Sequence, residues 1–355
     1  MKWNRIVIKL GTNVLTDSNG QIDDAIINSI VDQITELKRA GKEVILVSSG
    51  AVGAGKSLVT LPDRVNDVTK RQVYSSIGQI ELMSKYKVAF AKRDILCAQV
   101  LATKEDFRDR VHYINMQRCL LALLRDNVIP ILNENDVISI SELMFTDNDE
   151  LAGWVSSLIN TTAMILLTNV DGVLENQGAG PVIPLIDSRN KIVFEDVTRV
   201  KSLYGRGGML TKIRICQDVA KNGISAYIAN GKTPNMITKL IKGEGIFTYF
   251  PGEKERSSIK KWIAQTEGSI NGVVKINQGA ELALSSNDCV ASLLPIGIIS
   301  IDGDFKKGDL IQLINEKDNL VGVGISAYGS KKAKEAIGKK EKKALIHYDY
   351  LLMYD

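Results

Sequence analysis

Apolar residues in the first two thirds of the chain fall in short, mostly unbroken runs rich in β-branched side chains. The runs are Ile6–Ile8, Val44–Val47, Ile95–Val100, Val128–Leu132, Met164–Leu167 and Ala226–Ala229. Unbroken runs suit strands covered on both faces, as in a parallel sheet. Between them the period changes to that of a helix. Ile22, Ile26, Ile27, Ile30, Val31, Ile34 and Leu37 form one stripe that Gly41 closes, and Val73, Ile77, Ile80 and Met83 form a second. Alternating strands and helices predict a βαβ domain with its ligand site beyond the carboxyl ends of the strands.

The pattern changes near residue 250. Pro251–Ser258 is polar and poor in apolar residues, which predicts a linker, taken as 251–271 between a first domain at 1–250 and a second at 272–355. From Gly272 the chain reads as short strands and tight turns: Gly272–Ile276, Gly297–Asp304 and Gly308–Leu313, with a helix at about Ser330–Ala336. That spacing predicts a small β-barrel or sandwich.

Composition adds limits. A length of 355 residues allows two domains, and a net charge of +4 is too mild to argue for nucleic acid. The cysteines, Cys97, Cys119, Cys216 and Cys289, lie far apart in no metal-ligand spacing, so they read as reduced, mostly buried thiols of a cytoplasmic protein. Only His112 and His347 are available to a cysteine nucleophile, and neither has a fitting neighbourhood. The amino terminus leads straight into a strand with no signal-peptide pattern, and no apolar run is long enough to span a bilayer.

Four segments carry candidate chemistry. Lys9, at the end of the first apolar run and followed by Gly11 and Thr12, can set an ammonium at the mouth of the sheet, as phosphoryl transfer requires; it can equally be a solvated lysine before a turn. Val47–Gly55 is a run of small residues from strand to helix, fit to let backbone amides approach an anion; it matches neither the P-loop nor the dinucleotide pattern, and a plain tight turn is the alternative. Leu132–Asp136 and Thr146–Glu150 gather amides and carboxylates at a strand end and a helix start. They suit an amino-acid substrate, with simple helix capping as the alternative. Gly205–Lys212 is a glycine-rich basic loop opening a helix; it can close over a triphosphate or be an ordinary surface loop.

Taken in order, these segments resemble the amino-acid kinase family, in particular its glutamate-phosphorylating branch. The resemblance rests on Val7–Leu15, Val47–Gly55, Val128–Asp136, Thr146–Gly153, Leu166–Val173 and Gly207–Lys212, and spans nearly the whole chain. Ser292–Ile298 and Gly303–Ile311 look like the PUA domain appended to many members of that branch. The implied fold is a sandwich of helices on both faces of a mainly parallel sheet, plus a small barrel. The implied reaction is ATP-dependent phosphorylation of the glutamate side-chain carboxylate, the first step towards proline.

By the same resemblance, Lys9 and Lys212 stabilise the transferring phosphoryl group and Asp149 orients them. Ser49, Asp136 and Asn148 hold glutamate. Lys9, Gly11, Thr168, Asn169, Arg206, Gly207, Gly208, Met209, Leu210, Thr211 and Lys212 border ATP, with Mg2+ accompanying it and no protein metal site. The amides of Gly11, Gly50 and Ala51 line the phosphoryl path. Proline as a feedback inhibitor, a homo-oligomer and contact with a glutamate-5-semialdehyde dehydrogenase are also implied. The chain departs from many members in having Asn169 for Asp, Arg206 for Thr and Leu210 for a small residue, all on the nucleotide side.

Two other functions remain open at this point. One is an amino-acid kinase for aspartate or N-acetylglutamate. The other is a degenerate kinase serving as an RNA-binding regulator. The lysines at 331, 332, 334, 339, 340, 342 and 343 suggest RNA, but no aromatic residue interleaves with them, so a solvated helix face is expected instead.

Overall fold

The computed structural model describes residues 3–17, 20–139, 147–175, 180–187, 208–253, 270–285, 291–339 and 343–354. Arg206, Gly207, Thr146, Cys289 and most of the expected linker lie outside these. The chain divides into two compact units, Met1–Glu255 and Arg256–Asp355.

Among the described residues the first unit is built on seven strands: β1 (Arg5–Leu10), β2 (Glu43–Ser48), β3 (Cys97–Ala102), β4 (Ile129–Glu134), β5 (Ala163–Thr168), β6 (Ser225–Asn230) and β7 (Phe247–Phe250). Their order is β3-β4-β2-β1-β5-β6-β7, and every pair is parallel except β6 with β7. Ile6, Ile8, Val44, Leu46, Ile131 and Ile165 join one core with the helices Asp24–Arg39, Asp67–Ala91 and Met236–Lys242. The alternate residues Val7, Ile45, Val47, Met164 and Leu166 are equally buried, so both faces are covered. Lys9 belongs to this second set, and its side chain is directed to the face covered by the helix Asn148–Leu158.

The first helical stripe forms as expected. The helix runs Asp24–Arg39, Asp23 caps it by accepting from the amides of Ala25 and Ile26, and Gly41 follows at φ +74°. Ile22 lies just outside it. The second stripe is rotated by one residue. The helix Asp67–Ala91 buries Tyr74, Ser75, Gly78, Leu82, Tyr86, Ala89 and Phe90, and leaves Ile80 exposed. The reason is contact with the helix Ala51–Leu58. A Cβ on Gly55 would sit 1.9 Å from the Tyr74 carbonyl oxygen, and one on Gly78 would sit 1.8 Å from that of Ala51. The closest face of this helix is therefore its small-residue face, which a hydrophobic pattern does not reveal. The strand β3, expected at Ile95–Val100, starts and ends two residues later, at the sheet edge.

In the second unit β8 (Ile270–Ile276), β9 (Ile298–Gly303), β10 (Leu310–Ile314), β11 (Leu320–Ile325) and β12 (Leu351–Met353) form a sheet in the order β12-β11-β10-β8-β9. Only β8 with β10 is parallel. The described residues of this small β unit form one mixed sheet over its own core, with Val274, Ile276, Ile311, Leu313 and Phe305 fully buried. The helix Ser330–Ala336 is as read; Gln278–Ser285 is an additional one. Lys332 lies 5.6 Å from the ring of Tyr328, but that ring is buried and its hydroxyl donates to the Lys343 carbonyl, so it is not an open stacking surface.

Of the described cysteines only Cys216 is buried; Cys97 is half-buried and Cys119 exposed, which corrects the expectation of mostly buried thiols. No helix among the described residues is long and apolar enough to cross a membrane.

Candidate active site

The carboxyl ends of β1, β2 and β4 carry the site. Lys9 is the penultimate residue of β1, beside Val47 of β2 and Leu166 of β5, and it is 3% exposed. An ammonium buried this deeply needs an acid partner. Asp149, fully buried in the first turn of the helix Asn148–Leu158, supplies it. Its Oδ1 is 2.7 Å from Lys9 Nζ, and its Oδ2 is 2.6 Å from Nζ of Lys212 on the helix Met209–Lys221. Asp147 lies 3.6 Å from each lysine.

The two acids titrate in opposite directions. Burial raises Asp149, but Lys9 and Lys212 outweigh it and hold this carboxyl well below the usual range. Burial also raises Asp147; the neighbouring Asp149 charge adds to this, and the lysines do not fully offset it. Burial pulls Lys212 down, yet the Asp149 and Asp147 charges more than restore it, so its ammonium is held above its ordinary value. Two lysine side chains are thus tied to one buried carboxylate at the sheet's mouth.

A cavity of about 520 Å³ opens beside them, lined in part by Ser49, Gly50, Asn133, Asp136, Asp147 and Asn148. Gly50, at φ +110°, turns the end of β2 directly into the helix Ala51–Leu58. The Asn148 amide donates to Ser49 Oγ at 3.0 Å and to Asn133 Oδ1 at 2.9 Å, and Asn133 in turn donates to Gln79 at 2.8 Å. Asp136 is held at both oxygens, by Arg71 Nε at 2.8 Å and by Ser75 Oγ at 2.7 Å; Arg71 also reaches Glu134 at 3.1 Å.

The structure brings Lys9, Asp149 and Lys212 together as one group and places Ser49, Asn148 and Asp136 around one cavity. The Gly11 amide donates to the Leu167 carbonyl at 3.2 Å, so it is not open to the phosphoryl path; the absence of a side chain there leaves room 3.8 Å from Lys9 Nζ. Thr168 closes β5 with its hydroxyl on Asn169, and Gly208 starts the helix that carries Met209, Leu210, Thr211 and Lys212. These nucleotide-side residues lie outside the lining of the cavity. Arg71, Ser75 and Gln79 were missed by the motif reading. They lie on one face of a helix remote from every motif, at spacings of four residues.

Among the described residues no group of three or more His, Cys, Asp or Glu side chains could hold a metal, and both Asp149 oxygens already face lysines.

A family model described as "Amino acid kinase family" matches residues 4–230, and one described as "PUA domain" matches 272–348. The chain is 45% identical to "Glutamate 5-kinase" of Chlorobaculum tepidum, over 99% of this chain and 98% of that protein. It is 42% identical to "Glutamate 5-kinase" of Bacteroides thetaiotaomicron, with coverage of 99% and 98%. Among solved structures, carbamate kinase from Giardia lamblia bound to AMP-PNP matches with a TM-score of 0.52 and 18% identity, over 70% of this chain and 99% of that one, a likeness of fold. The chain belongs to the amino acid kinase family and, within it, to the glutamate 5-kinase branch that carries a PUA domain.

Proposed function

We propose that this protein transfers the γ-phosphoryl group of ATP to the side-chain carboxylate of L-glutamate, giving glutamyl 5-phosphate and ADP. The observation that carries the reading is the buried trio in which Asp149 holds Lys9 and Lys212 at 2.7 and 2.6 Å. A carboxylate oxygen of glutamate attacks the γ-phosphorus; the bond from that phosphorus to the β–γ bridging oxygen breaks, and its electrons leave with ADP. The nucleophile is already ionised at neutral pH, so no general base is needed. Catalysis then consists of positioning and of positive charge against the transferring oxygens. Lys9 and Lys212 supply that charge, and Asp149 fixes both without being consumed.

Asp136 receives the substrate ammonium, with Ser49 and Asn148 completing the polar wall. Thr168, Asn169 and the segment around Gly208–Thr211 border the nucleotide. Mg2+ enters with ATP on its phosphate oxygens. The deciding experiment measures ATP consumption with glutamate, aspartate and N-acetylglutamate side by side, with hydroxylamine trapping the acyl phosphate. A hydroxamate from glutamate alone is expected; preference for either of the others overturns the reading.

A further inference from the structure

Arg71 stands in the cavity wall and is turned towards two acids. Its Nε donates to Asp136 Oδ1 at 2.8 Å, and its Nη2 lies 2.6 Å from the same oxygen and 3.1 Å from Glu134 Oε2. The two carboxylates are 4% and 5% exposed, whereas the arginine side chain keeps 26% of its surface open. These bonds run through Nε and Nη2; a guanidinium carries two further N–H groups on Nη1, in the same rigid plane. The wall therefore presents a carboxylate and a guanidinium side by side. Ser75 fixes the first through Asp136 Oδ2 at 2.7 Å, and Arg71 and Ser75 sit one turn apart on one helix.

An α-amino acid carries the complementary pair, an ammonium and a carboxylate on one carbon. We infer that Arg71 and Asp136 together read the α-carbon of the substrate: Asp136 takes the ammonium and Arg71 takes the α-carboxylate. The side-chain carboxylate is left to extend towards Lys9 and Lys212. Arg71 is then a specificity residue, beyond its role of holding Asp136. The inference rests on the proposed reading that the substrate is glutamate.

Glutamate 1-amide, which keeps the ammonium but replaces the α-carboxylate by a neutral amide, separates the two roles. The full chain, Arg71→Met and Arg71→Lys are compared for glutamate KM and for the 1-amide, read as an alternative substrate or a competitive inhibitor. Arg71→Met is expected to raise the glutamate KM by about 10- to 100-fold, the scale for losing one charge-assisted hydrogen bond. The loss falls on KM rather than kcat, and the wild-type preference for glutamate over the 1-amide collapses. Arg71→Lys keeps a point charge without the fork, so it recovers part of that preference. Equal weakening of both ligands overturns the inference, because it means that Arg71 only holds Asp136; an unchanged glutamate KM overturns it too. Should the methionine variant fail to fold in a melting experiment, the lysine variant's preference ratio decides alone. If the unaltered chain does not phosphorylate glutamate, the functional reading fails instead.

Discussion

Lys9 and Lys212 reach the same carboxylate, one at each oxygen of Asp149, although one comes from the first strand and the other from a helix far along the sequence. Each ammonium is held by an ion pair, so on the proposed reading the charge it offers a phosphoryl group is positioned before substrate arrives. Lys212→Ala should lower kcat by about 10²- to 10³-fold, the scale for one such electrostatic group. The glutamate KM should change little. Turnover near that of the unaltered enzyme in a hydroxamate assay would refute the role.

The opposed titrations of Asp149 and Asp147 give a pH signature. A carboxyl depressed by folding contributes stability that is complete above its ordinary value of 3.8 and is lost as the pH falls through the folded value. Asp149 is of this kind. Asp149→Asn should cost about 3–5 kcal/mol at neutral pH, because it leaves two buried lysines short of an acid, and the gap to wild type should narrow only below about pH 4. Asp147, raised by burial, subtracts stability above its folded value, and that penalty disappears in acid. Asp147→Asn should therefore gain on wild type at pH 7 and lose the gain near pH 3. Urea titrations at the two pH values check both, and responses of the same sign in the two variants would contradict the assignment.

The crossing of Ala51–Leu58 over Asp67–Ala91 has no room for a methyl group at Gly78. Gly78→Ala should destabilise the fold by about 1–3 kcal/mol through overpacking. It should also raise the glutamate KM, because Ser75 and Arg71 ride on the displaced helix. Denaturant melting and steady-state kinetics test the pair of effects. A stability loss with unchanged KM would mean that the helix shift does not reach Asp136.

Every residue proposed for the chemistry precedes Ile213, and the first compact unit ends at Glu255. A chain ending near Lys254 should fold and keep kinase activity. Proline shares the α-carboxylate and ammonium of glutamate, so it should inhibit in a way that weakens as glutamate rises, and inhibition should survive the truncation. Titration of proline at low and high glutamate against both forms checks this. A soluble but inactive truncated chain would make the second unit part of the catalytic one; inhibition confined to the full chain would put the inhibitor site in or under the control of that unit.

The parallel sheet was legible because most of its strands are unbroken apolar runs, and Lys9, Asp149 and Lys212 could be singled out because the first ends a strand and the other two open helices, each within a motif. Arg71 and Ser75 were not legible. Their helix carries no motif, and its buried face is marked by Ser75 and Gly78, which hydrophobicity does not rank. β7 was missed for a related reason: it is four residues long, Phe247–Phe250, and pairs antiparallel where a repeating βαβ pattern predicts nothing. The Gly11 amide illustrates a third limit, since its partner, the Leu167 carbonyl, lies on a strand far away in sequence.

On the proposed reading, the glycine crossing would make the site a gauge for chain length. Gly55 and Gly78 bring the helix bearing Arg71 and Ser75 into backbone contact with the helix Ala51–Leu58, so the wall proposed to meet the α-carbon is braced from behind. Lys9 and Lys212 are held as well, since Asp149 anchors both. On the proposed reading, an acid one methylene shorter, seated by its ammonium on Asp136, would stop short of the donor phosphate. Contacts alone discriminate one methylene only by about 10- to 200-fold. A frame that does not yield converts the same methylene into misalignment of the reacting atoms, a selection made on reach rather than on affinity.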